Sequence, residues 1–203
     1  MKRRLFYLAL IIISLIVMFT ACENDNDNNG NISAINAENV INADNSIAIV
    51  KASIERDDYA RGKIDYEAAS AEYKNGGFKL NLSDTVPDKC LEKVLWHSSA
   101  IEVSDNNAKI NFLTIRAYNK ERRVIGDFML RIEGKKDIYH ASYIYADRNF
   151  TVNGNDTLDN LAFDCTFEKG WNILYSTKGK VTTQKPSKVK LNWYFNKYEE
   201  LKY

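Results

Sequence analysis

The Asn75-Gly76 pair constrains the fold of this chain more than any other feature of its sequence. Asn-Gly is the strongest two-residue signal for a β-hairpin, because both central turn positions need a positive φ. A turn at this point also sets the register of the strands on either side. Three apolar pairs then share one face: Tyr73 with Phe78, Ala71 with Leu80, and Ala69 with Leu82. Because Glu72 faces Lys79 on the other side, we predict a sheet with one face on a core and one in solvent.

The same alternation of apolar and polar residues recurs along the chain from Ser46 onward. It predicts strands at about 46–55, from 63, and at 110–117, 124–132, 138–146, 181–183 and 189–195. We expect a short helix after Pro87 and a polar loop over 149–160. Many short strands with frequent turns, and hardly any helix, indicate an all-β protein, an antiparallel β-sandwich.

A second hairpin is predicted over residues 163–175. A three-residue loop, 168–170, with Gly170 in the left-handed conformation, sets Cys165 opposite Ile173 and matches the apolar faces. Cys165 then points into the core. It and Cys90 either pair in an exported protein or remain two small buried thiols, and their spacing does not decide between these alternatives.

The first 22 residues have the three parts of a secretory signal. Lys2, Arg3 and Arg4 form the positive region, an apolar stretch follows over 5–19, and small residues lead to Cys22. The tetrapeptide ending at Cys22, Phe-Thr-Ala-Cys, resembles the bacterial lipobox. In lipoproteins the cysteine is alkylated with diacylglycerol and the chain is cleaved before it. The alternatives are an ordinary signal peptide and an uncleaved anchor.

The stretch after Cys22 is rich in Asn and Asp and shows no sustained hydrophobic period. Such a composition predicts a disordered tether. Asp25, Asp27 and Asn29 also have the spacing of a calcium loop, but its twelfth position is Asn36 instead of a carboxylate, which favours the linker interpretation.

These patterns divide the chain into three parts. They are a lipoprotein signal peptide (1–21), the lipidated Cys22 with its tether (22–45), and a β-sandwich domain (46–203). The domain is either one unit or two small β modules that divide near 95–105. Removal of the signal peptide leaves 25 basic and 27 acidic residues, a formal charge of −2. This balance offers no basic footprint for nucleic acid.

Two resemblances accompany this organisation. The acidic start of the tether, with Glu23, Asp25 and Asp27, resembles the export signal of Bacteroides-type surface lipoproteins. That resemblance implies a place on the outer face of the outer membrane, and a periplasm-facing lipoprotein is the alternative. The stretches 73–80, 169–172 and 190–194 resemble β-sandwich lipoproteins of the same group, and the Asn-Gly-Gly-Phe turn is similar to transthyretin-like sandwiches. These families imply an adhesion or spacer module and no particular functional residue.

Catalytic residues do not form a recognisable pattern. His97 and His140 lack metal-ligand spacing, and Ser98 and Ser99 beside His97 lack a nucleophile elbow. The carboxylates that we considered for a glycosidase-like pair are Glu102, Asp127, Glu133, Asp147 and Asp164. Each lies where a solvated strand face would carry a charge. We predict no cofactor, no metal and no enzymatic activity.

Aromatic side chains offer the other route to function, because Tyr and Trp can stack on sugars or anchor a partner. The candidates for ligand contact are Trp96, Tyr139 and Tyr194. Tyr194 lies between Trp193 and Phe195, so alternation directs it outward. Further candidates are Trp171, Trp193, Tyr143 and Tyr145, and filling of the core is the alternative for all of these rings. We therefore expect a lipid-anchored envelope protein with a non-catalytic module for a glycan or an envelope protein. The alternative is a small extracellular hydrolase acting on a glycan or other polymer.

The anchor yields the first testable prediction. Replacement of Cys22 by Ala should release the protein from membranes into the soluble fraction, because acyl chains supply about 0.8 kcal/mol of membrane affinity per buried CH₂. Cys90→Ala is the matched control and should stay with the membrane. Membrane retention of Cys22→Ala at the wild-type level would contradict lipidation as the anchor.

Overall fold

The computed structural model describes residues 32–58, 62–94, 100–133, 138–156, 160–187 and 189–198 of the 203-residue chain. Over these ranges the chain is nearly all β, with one 3₁₀ turn at Asp88–Cys90 and no α-helix. The strands are β1 (Ala34–Ala37), β2 (Ile49–Asp58), β3 (Gly62–Glu72), β4 (Phe78–Asn81), β5 (Glu92–Lys93), β6 (Ile101–Val103), β7 (Lys109–Tyr118), β8 (Val124–Glu133), β9 (Ile138–Ala146), β10 (Phe150–Asp156), β11 (Leu161–Phe167), β12 (Gly170–Thr177), β13 (Lys180–Thr182) and β14 (Leu191–Lys197).

The main sheet branches where β7, β8 and β9 meet. One edge of β7 pairs with β2, whereas the other edge pairs with β8 near one end and with β9 near the other. β8 pairs with β9 beyond the branch and carries β14 along its far edge. Nearly all neighbours are antiparallel, and β11 with β13 is a parallel exception. The predicted all-β, antiparallel-rich fold is thus confirmed.

Two hydrophobic cores share the β9–β12 pair as a common wall. On β9, Tyr145 packs in the first core and Ile144 in the second, because successive residues of a strand point to opposite faces. On β12, Trp171 and Leu174 divide in the same way. β1 to β4, β7, β8 and β14 complete the first core, and β6, β10, β11 and β13 complete the second. Each core contains residues from both sides of 95–105, so the cores do not follow one another along the chain.

The Asn75-Gly76 turn forms, but the strands that it joins separate at once. Both residues have positive φ, 54° and 75°, and Lys74 bridges Gly77 across the turn. Beyond the turn β3 pairs with β2, and β4 pairs with β1. The predicted ladder between these two strands is therefore wrong. The predicted faces are right, since the apolar residues of both strands meet in the first core.

β11 and β12 also fail to pair with each other. Gly170 has the predicted positive φ, 110°, but β11 pairs with β10 and β13, whereas β12 pairs with β9 and β13. The buried Asn172 side chain holds the turn: its Nδ2 donates to the Glu168 and Gly170 carbonyls, at 2.8 and 3.0 Å. Cys165 lies in the second core and Ile173 packs against the first, so their predicted pairing is wrong.

The two described cysteines are free thiols in different cores. Cys90 is buried in the first core and Cys165 in the second. Burial raises the pKa of the Cys165 thiol to about 11 and also raises that of Cys90. Of the two alternatives, the structure supports buried thiols and excludes a disulfide between them.

The N-terminal strap, residues 32–45, is ordered against the first core. Within it β1 pairs with β4, and the side chains of Ile35 and Ala37 are 1% and 2% exposed. The Ile41 amide donates to the Trp193 carbonyl, and the Phe195 amide donates to the Ile41 carbonyl, both at 2.9 Å. The predicted tether is therefore wrong for this part of 22–45. Apolar residues at alternate positions, short though the run is, were enough to add a strand.

Asp44 fastens the end of the strap. Its carboxylate accepts from the Ser46 amide at 2.8 Å and lies 2.9 Å from Lys197 Nζ. The hydrogen bonds from Ser46 and the Lys197 ammonium lower the pKa of Asp44 to about 2. The carboxylate therefore remains charged above that pH and holds the strap to the end of β14.

Two further local predictions are wrong. The Asn-rich loop expected over 149–160 is largely β10, paired with β11 along its length. Gly154 permits this, because a Cβ there would lie 2.1 Å from the Ala100 carbonyl oxygen and its φ is +138°. The helix expected after Pro87 is only the 3₁₀ turn Asp88–Cys90.

The strap gives the second prediction. In the mature chain, Ile35→Ala should lower the free energy of unfolding by about 2–4 kcal/mol, because it leaves a cavity in the first core. Asn36→Ala, at the exposed neighbouring position, should change it by less than about 0.5 kcal/mol. Urea denaturation measures both. If residues 32–45 were a disordered tether, the two variants would be equally stable.

Candidate functional site

A cavity of about 320 Å³ lies where β7, β8 and β9 part. β7 has no ladder partner on this edge at residues 113–115, between its stretches facing β9 and β8. β8 likewise lacks one at 128–129, and β9 at 142–143. This three-way gap is the junction pocket. Its lining residues are Leu113, Thr114, Ile115, Asp127, Phe128, Met129, Leu130, His140, Ala141, Ser142, Tyr143 and Trp193.

Strand alternation divides the junction pocket into an apolar floor and a polar mouth. The floor belongs to the first core and consists of Leu113, Ile115, Phe128, Leu130, Ala141, Tyr143 and Trp193. The mouth lies on the other face of the same strands and consists of Thr114, Asp127, Met129, His140 and Ser142. All five mouth residues are half-buried. The pocket therefore runs through the sheet from a polar surface to an apolar interior.

Two stacked rings form the aromatic part of the floor. The Tyr143 and Trp193 rings are parallel within 5°, with their centroids 6.3 Å apart. Trp193 Nε1 donates to the Asn36 carbonyl at 3.2 Å, which ties the floor to the strap. Burial raises the pKa of the Tyr143 hydroxyl well above its usual range, so this side chain is neutral at physiological pH.

Asp127 marks one end of the mouth. The Tyr198 hydroxyl donates to its carboxylate, and burial together with this bond raises the pKa of Tyr198. Arg116 is the register partner of Asp127, but its guanidinium is engaged by Glu55, with Nη2 2.8 Å from Oε2. Lys63 Nζ also lies 2.9 Å from Glu55. The charges at this end are thus held by protein partners.

His140 marks the opposite end, and Arg131 lies next to it on β8, outside the lining of the pocket. They are register partners on β8 and β9. Arg131 Nη2 lies 3.0 Å from the Met129 sulfur, and its Cζ lies 5.5 Å from the centre of the Tyr194 ring. Among the residues that the structure describes, Arg131 Nε and His140 Nδ1 are buried and have no hydrogen-bond partner.

Of the three predicted ligand-contact aromatics, the structure describes the side chain of Tyr194 only. Tyr194 points to the face opposite Trp193, as alternation predicts, but it is only 8% exposed because the Arg131 guanidinium covers its ring. Its predicted exposure is therefore wrong. Tyr139 lies in β9, opposite Ile132 in the register, and its side chain is outside the described part. Trp96 and Cys22 lie outside the described residues.

Sequence reasoning missed the rings that are exposed. Phe112 is 48% and Tyr198 is 44% exposed. Phe112 lies two residues before Thr114 on the same face of β7, and Tyr198 bonds to Asp127, so both rings are near the mouth. Alternation counted backwards from Arg116 through Thr114 would have assigned Phe112 to the polar face.

Of the candidate catalytic residues that the structure describes, His140 and Asp127 lie in the mouth of the junction pocket, at opposite ends. His97, Ser98 and Ser99 lie outside the described residues, as does the side chain of Glu133. Asp147 lies 3.0 Å from Arg148 and Asp164 lies 2.8 Å from Lys180, whereas Glu102 is exposed. The described part of the chain contains no cluster of three His, Cys, Asp or Glu side chains suited to a metal ion. Nor do its described residues include a helix of the length and hydropathy that crossing a membrane requires.

Comparison with known proteins identifies no relative of this chain. No protein-family model matches the chain, and neither a curated protein nor a solved structure matches it significantly. The resemblance to Bacteroides-type lipoproteins remains a prediction.

Gly126 provides a test of the junction. It lies in β8 between β7 and β14, and a Cβ there would lie 2.3 Å from the Asn196 carbonyl oxygen and 2.5 Å from the Phe195 ring. Gly126→Ala should therefore cost about 1–3 kcal/mol of stability, as overpacking does. Ser142→Ala, elsewhere in the junction, should cost less than about 0.5 kcal/mol. Equal urea midpoints for both variants would show that β14 moves aside freely.

Proposed function

We propose that this protein is a lipid-anchored envelope protein whose β-sandwich is a non-catalytic binding module, with the junction pocket as its binding site. The observation that carries the proposal is the pocket itself, in which a polar mouth opens onto an apolar floor. Small-molecule sites are typically concave and mostly apolar, with a few polar groups that orient the ligand. Its volume, about 320 Å³, suits a single small apolar or aromatic group.

The frame of the pocket supports binding without rearrangement. Each of the three strands that bound the gap is paired along its outer edge, β7 with β2, β8 with β14 and β9 with β12. A site on paired strands is more rigid than one on loops, so little ordering free energy is lost when a ligand enters.

The predicted anchor would keep this site close to the membrane. Only nine residues separate Cys22 from Ile32, where the strap begins. The ten residue steps reach at most about 35 Å when fully extended. The strap then leads directly to the floor through Asn36 and Trp193. Such proximity favours a ligand of the envelope, as does the absence of a basic footprint for nucleic acid. Exposed Phe112 and Tyr198 beside the mouth are suited to stack on a sugar ring or contact an apolar side chain of an envelope protein.

The hydrolase alternative rests on one specific observation. His140, Ser142 and Asp127 all belong to the mouth. However, Ser142 has no hydrogen bond to His140 among the described contacts, and Asp127 is bonded to Tyr198 at the other end. The groups for nucleophilic catalysis are therefore present, but their bonded arrangement is not.

A neutral probe tests the proposal. In the soluble mature Cys22→Ala protein labelled with ¹⁵N, n-octanol should shift amide resonances of residues 113–115, 127–130 and 140–143. Ser142→Phe, which fills the mouth, should abolish the shifts. Ser70→Phe, at an exposed strand position on β3, should retain them. Thermal unfolding verifies that both variants are folded.

Two results would contradict the proposal. The first is the absence of shifts at the pocket in the Cys22→Ala protein, or their persistence in folded Ser142→Phe. The second is hydrolysis of p-nitrophenyl octanoate that disappears in Ser142→Ala, which would favour the hydrolase instead.

A further inference from the structure

A second cavity, of about 490 Å³, lies where the strap meets the Asn75-Gly76 turn. This strap pocket is lined by residues of the strap, of the turn and of the start of β4. None of the described residues lines both the strap pocket and the junction pocket. Its volume falls in the range of small-molecule sites, about 300–1,000 Å³.

Backbone contacts fix the frame of the strap pocket. The ladder of β1 with β4 places Ala37 opposite Phe78, and the Val40 amide then donates to the Gly76 carbonyl at 2.9 Å. The strap passes so close to the turn that a Cβ at Gly77 would lie 2.1 Å from the Ala37 carbonyl oxygen. Because both segments are held by backbone hydrogen bonds, a ligand that enters between them costs little ordering free energy.

The strap pocket has a buried base and polar walls. Ala37, Gly77 and Phe78 form the base, and the Phe78 ring packs edge-on against Phe128 and Trp193 in the first core. The seven other lining residues are exposed, and each has an amide, a carboxylate or an ammonium group. A ligand in the strap pocket therefore meets hydrogen-bonding groups, whereas the floor of the junction pocket is apolar.

Three asparagines form the uncharged part of the walls. Asn36 and Asn39 belong to the strap, and Asn75 belongs to the turn. Among the described hydrogen bonds, none involves the side-chain amide of any of the three. Asn39 and Asn75 both have a positive φ, 52° and 54°, which few residues other than glycine adopt. Two segments of the chain thus present amides from defined backbone positions.

The charges of the strap pocket cancel. Glu38 and Glu72 provide two carboxylates, and Lys74 and Lys79 provide two ammonium groups. Lys74 is paired with Glu72, and a hydrogen bond from this ammonium lowers the pKa of the Glu72 carboxyl. A site without net charge gives no overall Coulombic advantage to an anion or a cation, and either ion would lose hydration on entry. The site therefore favours an uncharged ligand that has many hydrogen-bonding groups.

We propose that the strap pocket binds one pyranose ring of an uncharged saccharide. A sugar hydroxyl both donates and accepts hydrogen bonds, and so does an asparagine side chain, through its NH₂ group and its oxygen. The amides of Asn36, Asn39 and Asn75 bind the ring hydroxyls from the strap and from the turn. This inference goes beyond the proposed function, because it assigns a second site to a polar class of ligand and does not require the junction pocket to be occupied.

Four neutral sugars test the inference. The methyl glycosides of glucose, galactose, mannose and N-acetylglucosamine are titrated to high millimolar concentration into the ¹⁵N-labelled soluble mature Cys22→Ala protein. At least one should shift amide resonances of residues 36–39 and 72–79 and leave those of 140–143 unchanged. Glucuronate has the glucose ring and a carboxylate, and it should bind no more tightly than the neutral glycosides.

Matched variants test the asparagines. Asn39→Gly and Asn75→Gly keep the positive φ and remove the amide, so each should weaken glycoside binding about fivefold, as loss of one hydrogen bond does. Asn36→Ala makes the same test in the regular strand β1. Asn42→Gly is the control, because Asn42 also lies in the strap with a positive φ, 63°, but does not line the strap pocket. It should leave the affinity unchanged, and thermal unfolding verifies that all four variants are folded.

Three results would overturn the inference. The first is the absence of shifts at the strap pocket with all four glycosides. The second is an unchanged affinity in Asn36→Ala, Asn39→Gly and Asn75→Gly, or an equal loss in Asn42→Gly. The third is tighter binding of glucuronate than of every neutral glycoside, which would identify an anion site. Binding of n-octanol at the junction pocket is measured separately, so the inference and the proposed function can fail independently.

Discussion

The antiparallel pairing of β9 with β12 supports both hydrophobic cores of this protein. Seven register pairs join the two strands, from Ala146 with Gly170 to His140 with Ser176. Because alternate side chains point to opposite faces, one face of this pair packs in the first core and the other in the second. On the second face the apolar residues Ile144, Ala146 and Leu174 lie toward one end of the pair, and the polar His140, Ser142 and Ser176 lie toward the other.

The branch of the sheet follows from how β9 is shared. The carboxyl-terminal half of β9 pairs with β7, whereas its amino-terminal half pairs with β8. β7 and β8 pair with each other only near the turn that connects them. Three strands that pair two at a time leave a gap in the middle, and that gap is the junction pocket. The site is a consequence of the sheet geometry and needs no loop to build it.

The strap joins this geometry to the expected anchor. It adds β1 to β4, bridges β14 at Ile41, and contributes the Asn36 carbonyl that accepts from Trp193 in the floor. Removal of the strap would leave the Trp193 indole N–H without its acceptor and β4 without its ladder partner. The strap thus belongs to the folded domain, so the segment between it and Cys22 is shorter than the predicted tether, 22–45.

The sequence by itself determined the β class, most strand positions, and the face on which the apolar residues on both sides of Asn75-Gly76 lie. It also determined the positive φ at Asn75, Gly76 and Gly170, because local steric rules govern turns. Cys165 is buried as predicted, although the hairpin register from which its burial was predicted is wrong. The other features depend on residues close together in the chain, and so a local pattern is sufficient to predict them.

Only the tertiary structure decided which strands pair. β3 and β4, on both sides of Asn75-Gly76, are consecutive in sequence but pair with other strands and not with each other. The same is true of β11 and β12. Partner choice depends on how whole sheets bury their faces, and a hairpin signal contains no information about competing edges. The same reason explains the site, because the gap that forms the junction pocket exists only where β7 pairs with both β8 and β9. It explains Tyr194 as well, since alternation predicted its direction but could not predict that Arg131 would cover it.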